Sequence, residues 1–174
     1  MMISVMSLGW GSAFAADGSG ATNRIAPRIG VYDSRAVAVA YGGSRAFNEK
    51  MAPLYAEQKK AQAAGDEKKL KELREQGRAL QVQAHKQAFS TAPVDDILAS
   101  IKPQMAEIIR TSAVQVVVSK WDTAALAKYK NAEQVDVTMA LVEALQPNDR
   151  QRKFAIDIQK HPPISLKEAE EIRD

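Results

Sequence analysis

Residues 113–145 read AVQVVVSKWDTAALAKYKNAEQVDVTMALVEAL, and the reading of this stretch decides the fold. It opens with Val114, Val116, Val117 and Val118, a β-branched run too short to favour helix and too apolar for an edge strand facing water. A core strand is expected there. An irregular connection follows from Trp121 to Asn131. After it, Val135-Asp136-Val137-Thr138 leads into Met139, Leu141, Val142 and Leu145, whose spacing places one apolar face on a short helix.

Working outward toward the carboxyl end, Gln146-Pro147-Asn148-Asp149 closes the domain. Beyond it, Phe154, Ala155 and Ile158 can form a short amphipathic helix. His161-Pro162-Pro163 enforces extension, and Ser165 and Glu168 make a capping box for a last helical turn or two. Whether this extension, residues 147–174, docks on the core or reaches a partner stays open.

Toward the amino end, Ser90-Thr91-Ala92-Pro93-Val94-Asp95-Asp96 reads as a helix start. It has a hydroxyl cap, a first-turn proline and two acids that suit the helix dipole better than catalysis. Ile97, Ile101, Met105 and Ile108 form its apolar face, with a kink expected at Pro103, and that face is expected to pack on the following strand.

Before this comes a two-helix segment. From Phe47, small or apolar positions fall at Met51, Leu54, Gln58 and Ala61, alternating four and three, which is the spacing of a helix–helix seam. Pro53 interrupts it; a break near Ala52, or a helix restarting with Pro53 in its first turn, is expected. Ala64-Gly65-Asp66 supplies a left-handed stop followed by a capping carboxylate, and therefore a hairpin tip. The return helix carries Leu70, Leu73, Gly77, Leu80, Ala84 and Gln87 on one stripe. At about 25 cal/mol per Å² of buried apolar area, so thin a seam contributes only a few kcal/mol, which predicts a flexible, protruding arm. Between Lys59 and Arg78 seven bases face four acids, a net +3 on the tip half.

Arg28-Ile29-Gly30-Val31-Tyr32-Asp33 reads as a short strand. Residues 34–41, SRAVAVAY, can extend that strand or begin a helix, and both remain open. Gly42-Gly43 closes the element and Ser44 can cap the helix that follows. Residues 17–27 form a flexible lead-in. The first residues are uncharged as far as Asp17 and end in Ala13-Phe14-Ala15, a small-x-small site suited to signal peptidase, so residues 1–16 are expected to be an export signal although they lack a basic n-region.

This order of elements resembles the Skp or OmpH-like family of periplasmic chaperones. The residues that carry the resemblance are Val116-Val117-Val118 through Tyr129 to Asp136-Val137-Thr138, with Leu141, Val142 and Leu145, and the Ile29 to Asp33 strand; together they cover roughly residues 28–146. The resemblance implies a homotrimer in which strands from three chains form a body and the hairpins hang from it around a cavity. Such proteins hold unfolded outer-membrane clients without ATP. Two departures stand out: the limb, residues 44–110, is shorter and broken by proline, and residues 147–174 have no counterpart.

The expected fold class is therefore α+β, mostly helical, with a small sheet body and a protruding antiparallel helical hairpin. The expected activity is that of a soluble periplasmic holdase, the alternative being a non-enzymatic envelope adaptor that recognises one folded partner. Phe47, Met51, Leu54 and Tyr55 are the candidate apolar contacts for clients, and Lys59, Lys60, Lys68 and Lys69 the candidate electrostatic ones; the apolar set is equally explained as hairpin seam. No cofactor is expected. With no cysteine there is no thiolate metal site, and His85 and His161 lack metal-ligand spacing. Asp33, Asp122 and Asp136 flank apolar segments and could converge at one end of the sheet, yet Asp commonly ends strands and caps helices. The chain lacks a nucleophile elbow and a nucleotide-binding glycine loop, which argues against an enzyme. Its 24 bases are interleaved with 21 acids, which argues against nucleic acid, whereas a pI near 9.1 suits peripheral contact with an acidic membrane surface.

Overall fold

The computed structural model describes residues 27–173. Strand β1 spans Arg28–Tyr32 and is followed at once by helix α1, Ser34–Tyr41. Helices α2, Arg45–Ala64, and α3, Glu67–Phe89, come next, then α4, Asp95–Ser100, and α5, Lys102–Thr111. The remainder is β2, Val117–Ser119; α6, Thr123–Ala127; β3, Glu133–Asp136; α7, Thr138–Ala144; α8, Asp149–Ile158; and α9, Leu166–Glu171. The chain is thus α+β and mostly helical, around a small sheet.

That sheet is parallel and three-stranded in the order β2-β1-β3. Gly30 lies opposite Val117 on one side and Val135 on the other. A central β1 explains Gly30: a Cβ there would sit 3.0 Å from Val137 Cγ2 and 3.4 Å from Val114 Cγ2, so only hydrogen fits between the two valines. The valine run pairs with β1, but its regular part is only Val117–Ser119, and it is an edge strand rather than the expected core strand: helices cover one side of it, which accounts for its apolar residues, with Val114 buried and Val116 still bonded to Gly30. The third strand, Glu133–Asp136, is an addition to the expected pair. Its burial is slight, because its outer edge and much of both faces are open, so it shows no apolar alternation in sequence.

The undecided stretch 34–41 is helical. Asp33 caps it by accepting from the Arg35 amide, and seven of its eight residues are buried among α3, α7 and α8. A helix wet on no side has no polar stripe, which is why its pattern is ambiguous. Ala36, Val37, Ala40, Ile97, Val137, Leu141, Val142 and Ala155 form the heart of the core around it.

Asp136-Val137-Thr138 fixes the start of α7 against β1. The Asp136 carboxylate accepts from the Thr138 amide at 2.8 Å, the Val137 amide donates to the Val31 carbonyl, and the Thr138 hydroxyl accepts from the Asp33 amide at 3.0 Å.

Helices α2 and α3 turn at Gly65, which is left-handed at φ 66°, and Asp66 caps α3 through the Lys69 amide. Leu54 approaches Gly77 and Lys69 approaches Glu57, so the two run antiparallel. The seam consists of Met51, Leu54, Ala61, Leu70 and Leu73, a cluster separate from the main core, flanked by Phe47 and Leu80. Pro53 does not break α2, which runs unbroken through it. Pro53 is exposed, so the carbonyl that loses its amide partner has water in reach, and the interruption expected near Ala52 is absent. The break in the second helical segment falls at Ile101, with Pro103 in the first turn of α5. Ser90 and Thr91 do not cap α4: its N-cap is Val94, without a side-chain bond, and the Ser90 hydroxyl donates to the Ile164 carbonyl at 2.7 Å. Ile97, Ile101 and Ile108 bury α4 and α5 in the body rather than in the limb.

Residues from 147 onward dock on the core. Helix α8 has a capping box between Asn148 and Gln151 and packs on α1; Gln151 Nε2 also donates to the Gly42 carbonyl. Helix α9 has the expected Ser165 and Glu168 box and packs on α3, where Lys86 reaches Glu170 at 2.8 Å. The expected export signal at residues 1–16 lies outside the described residues. No helix among the described residues is long and apolar enough to cross a membrane.

Candidate functional site

Two regions of the molecule carry groups that could act on something else: the α2–α3 hairpin and the carboxyl end of the sheet. On the hairpin, the candidate residues separate by exposure. Met51 and Leu54 are buried in the seam, and Phe47 is half-buried, meeting Tyr41 edge-on with ring centroids 5.6 Å apart. Tyr55 is 55 % exposed, and Lys59, Lys60, Lys68 and Lys69 all stand in solvent. Lys69 lies 3.7 Å from Glu57 and 4.0 Å from Glu72, so part of its charge is answered locally. The accessible face of the limb is therefore basic and polar, with Tyr55 the large aromatic ring along its length and Phe89 exposed at its root. The limb's root is held firmly: Lys50 binds Asp96 at 3.0 Å and Gln87 donates to the same carboxylate at 2.8 Å.

At the carboxyl ends of the strands, parallel pairing gathers Asp33 just past β1, Lys120 to Asp122 just past β2, and Asp136 at the end of β3. The three aspartates do meet at one end of the sheet, but each has a structural task. Asp122 caps α6 through the Ala125 amide and Asp136 caps α7 through the Thr138 amide. Asp33, 1 % exposed, accepts from five donors: the Arg35 amide, Nε and Nη2 of Arg35, Nε1 of Trp121 and Nζ of Lys120 at 2.7 Å. Arg35 is wholly buried and presents its guanidinium to the Trp121 ring, 4.8 Å from the centroid, and Lys120 Nζ lies 4.7 Å from the same ring. Burial alone would raise the Asp33 pKa; the hydrogen bonds from Arg35, Lys120 and Trp121 outweigh it and hold the carboxyl below its usual range. Asp33 is thus a saturated anion, with no proton to give and no lone pair to spare for a reaction. Arg35 and its bidentate partner escape a reading of the sequence because two residues, i and i+2, give no periodic signal; only the DSR string after a strand hints at them.

Beside this network, along the outer edge of β2, lies a cleft of about 490 Å³. Its walls are the start of α4 and the α6 segment, and its floor includes Tyr32, whose phenol is pushed up to about 12 by burial and by the carboxylates of Asp95 and Asp122. Among the described residues no group of His, Asp and Glu is placed to hold a metal ion. No family model matches this chain, and no curated protein or solved structure matches it.

Proposed function

We propose that this protein is a non-enzymatic binding protein of the cell envelope, an ATP-independent holdase that uses its helical hairpin to retain unfolded segments of exported clients. The observation that carries the reading is the limb itself. Two helices of 20 and 23 residues leave a firmly packed body and are joined to each other by only five buried side chains. At 1.5 Å per residue the part of α2 beyond Met51 reaches ~20 Å, a large surface for a chain of this size. Its lysines attract acidic stretches of unfolded chain, and Tyr55 supplies an apolar foothold. The likeness of the limb to that of the Skp or OmpH-like chaperones, export to the periplasm and assembly into trimers belong to the same proposal.

The test is suppression of aggregation of a urea-denatured outer-membrane barrel protein on dilution. The full chain at stoichiometric amounts is expected to keep the client soluble. A variant combining Tyr55→Ser with Lys59, Lys60, Lys68 and Lys69→Glu is expected to lose most of that effect while retaining its helical circular dichroism. No suppression by the unaltered chain refutes the reading, and a solution mass of one chain removes the trimer.

A second reading, an adaptor for one folded partner, is favoured by the burial of Met51 and Leu54, which leaves the arm little apolar surface for indiscriminate capture. It predicts capture of a single folded envelope protein with no protection of denatured clients.

A further inference from the structure

The sheet ends on one side at β2, and its ladder shows which groups remain unused. The Gly30 amide donates to the Val116 carbonyl at 2.8 Å and the Lys120 amide donates to the Tyr32 carbonyl at 2.9 Å, so from Val116 to Lys120 the even-numbered residues turn toward β1, after an irregular start at which the Gln115 amide also reaches the Arg28 carbonyl. By the alternation of a strand, the N–H and C=O of Val117 turn outward. Among the described residues nothing pairs with them. Such a pair is a template for another strand.

This open edge is half-buried, Val116, Val117 and Ser119 each being partly exposed. It lines the 490 Å³ cleft, whose size falls within the range of sites that enclose a ligand or several residues of a peptide. Ser34 also lines the cleft, but the residue is 2 % exposed and its unpaired hydroxyl is buried out of the cleft's reach. The rim carries the carboxylates of Asp95 and Asp122 against the single ammonium of Lys128, so the mouth is net acidic in an otherwise basic protein.

We propose that the groove along the free edge of β2 binds an extended, basic polypeptide segment by strand addition, with its backbone paired to Val117 and a lysine or arginine seated between Asp95 and Asp122. The charge pattern selects this occupant over a second copy of the chain. A second copy could offer either sheet edge: β3, whose Glu133 and Asp136 would bring further carboxylates to the acidic rim, or its own β2, whose rim carries the same Asp95 and Asp122. Like charges so placed oppose pairing. Contacts between subunits, if three chains assemble, then lie elsewhere, and this groove is available whether or not the hairpin holds clients.

The experiment is calorimetric titration of the full chain with capped heptapeptides of sequence VTVRVTV and VTVEVTV, and with the arginine peptide N-methylated on alternate backbone nitrogens. The arginine peptide is expected to bind, the glutamate peptide to bind at least about fivefold more weakly, as two partly exposed carboxylates allow. N-methylation is expected to abolish binding. The double variant Asp95→Asn and Asp122→Asn, which keeps a competent cap at 122, is expected to erase the preference between the two peptides. Should that variant fail to fold, weakening of arginine-peptide binding between 50 and 500 mM salt reads out the same charge term in the unaltered chain. No binding of the arginine peptide, equal binding of the arginine and glutamate peptides, or indifference to N-methylation overturns the proposal. So does protection of the Val117 amide that grows with protein concentration alone, which would assign the edge to a second copy.

Discussion

Trp121 donates its indole N–H to Asp33 at 3.2 Å, joining the residue just past β1 to one just past β2 across 88 positions of chain. The bond closes a buried unit in which Asp33 is bound on one side by Arg35 and on the other by Lys120. Replacing Asp33 leaves the Arg35 guanidinium buried without its anion. We therefore expect Asp33→Asn to lower the unfolding free energy by about 3–5 kcal/mol in urea titrations. A loss below 1 kcal/mol would show that the network contributes little.

The same carboxylate gives the fold an acid limit. Its folded-state pKa lies below the unfolded value of 3.8, so its contribution is present at neutral pH and is lost as pH falls below about 4. Thermal midpoints measured from pH 7 to pH 2.5 should fall steeply at the acid end for the unaltered chain. The fall should be shallower for Asp33→Asn, which has no proton to take up there.

Gly77 sits in the interior of α3 with ordinary space beside it: a Cβ would meet Gln58 Nε2 at 3.9 Å and Leu54 Cδ2 at 4.0 Å. Gly77→Ala should accordingly stabilise the hairpin by about 0.5–1 kcal/mol, since alanine restricts the unfolded chain and loses nothing on folding. Slower hydrogen exchange across residues 67–80 checks it. An unchanged or faster exchange would mean the helices close more tightly at Gly77 than these distances allow.

Gly30 presents the opposite case. With Val137 Cγ2 only 3.0 Å from where a Cβ would stand, Gly30→Ala forces β1 away from a neighbour and should cost about 1–3 kcal/mol. Chemical denaturation of the two chains measures the difference.

At the carboxyl end, Ser165→Ala removes a cap whose hydroxyl accepts from the Glu168 amide at 3.1 Å. The expected cost is about 1 kcal/mol. Because α9 packs on α3 through the fully buried Ala169 and the Lys86–Glu170 pair, faster hydrogen exchange should extend from α9 into residues 83–89. Exchange confined to α9 would show that its docking does not support the limb.

Where a residue's neighbours lie close in sequence, the structure is legible in the letters. Gly65 and Asp66 announce the turn of the hairpin, Ser165 and Glu168 the last cap, and the Val114 to Val118 run the presence of a strand beside β1, though not its three-residue length or its place at the sheet edge. Where the deciding neighbours are remote, the letters are silent. Helix α1 is surrounded by α3, α7 and α8, so its polarity pattern is blank; Ser90 spends its hydroxyl on Ile164, 74 residues away, rather than on the nearby helix. Pro53 misleads for a different reason, since a proline on an exposed face leaves its orphaned carbonyl to water and need not end a helix. The exposure of Tyr55 and the lysines follows from the helical spacing of their neighbours, whereas the groove beside β2 is assembled from β1, α4, β2 and α6 and has no linear signature.

A central β1 has a consequence for how the protein comes into being. During synthesis, at roughly 5–20 residues per second, β1 emerges early, yet its partner β2 begins only at Val117 and β3 at Glu133. For several seconds the first strand has no neighbour, while the limb between them can already close on itself through short-range contacts. Nascent chains stalled so that Phe89 but not Val117 has left the ribosome should therefore contain the paired α2–α3 limb without the body, a state that protease digestion of stalled ribosome complexes would reveal.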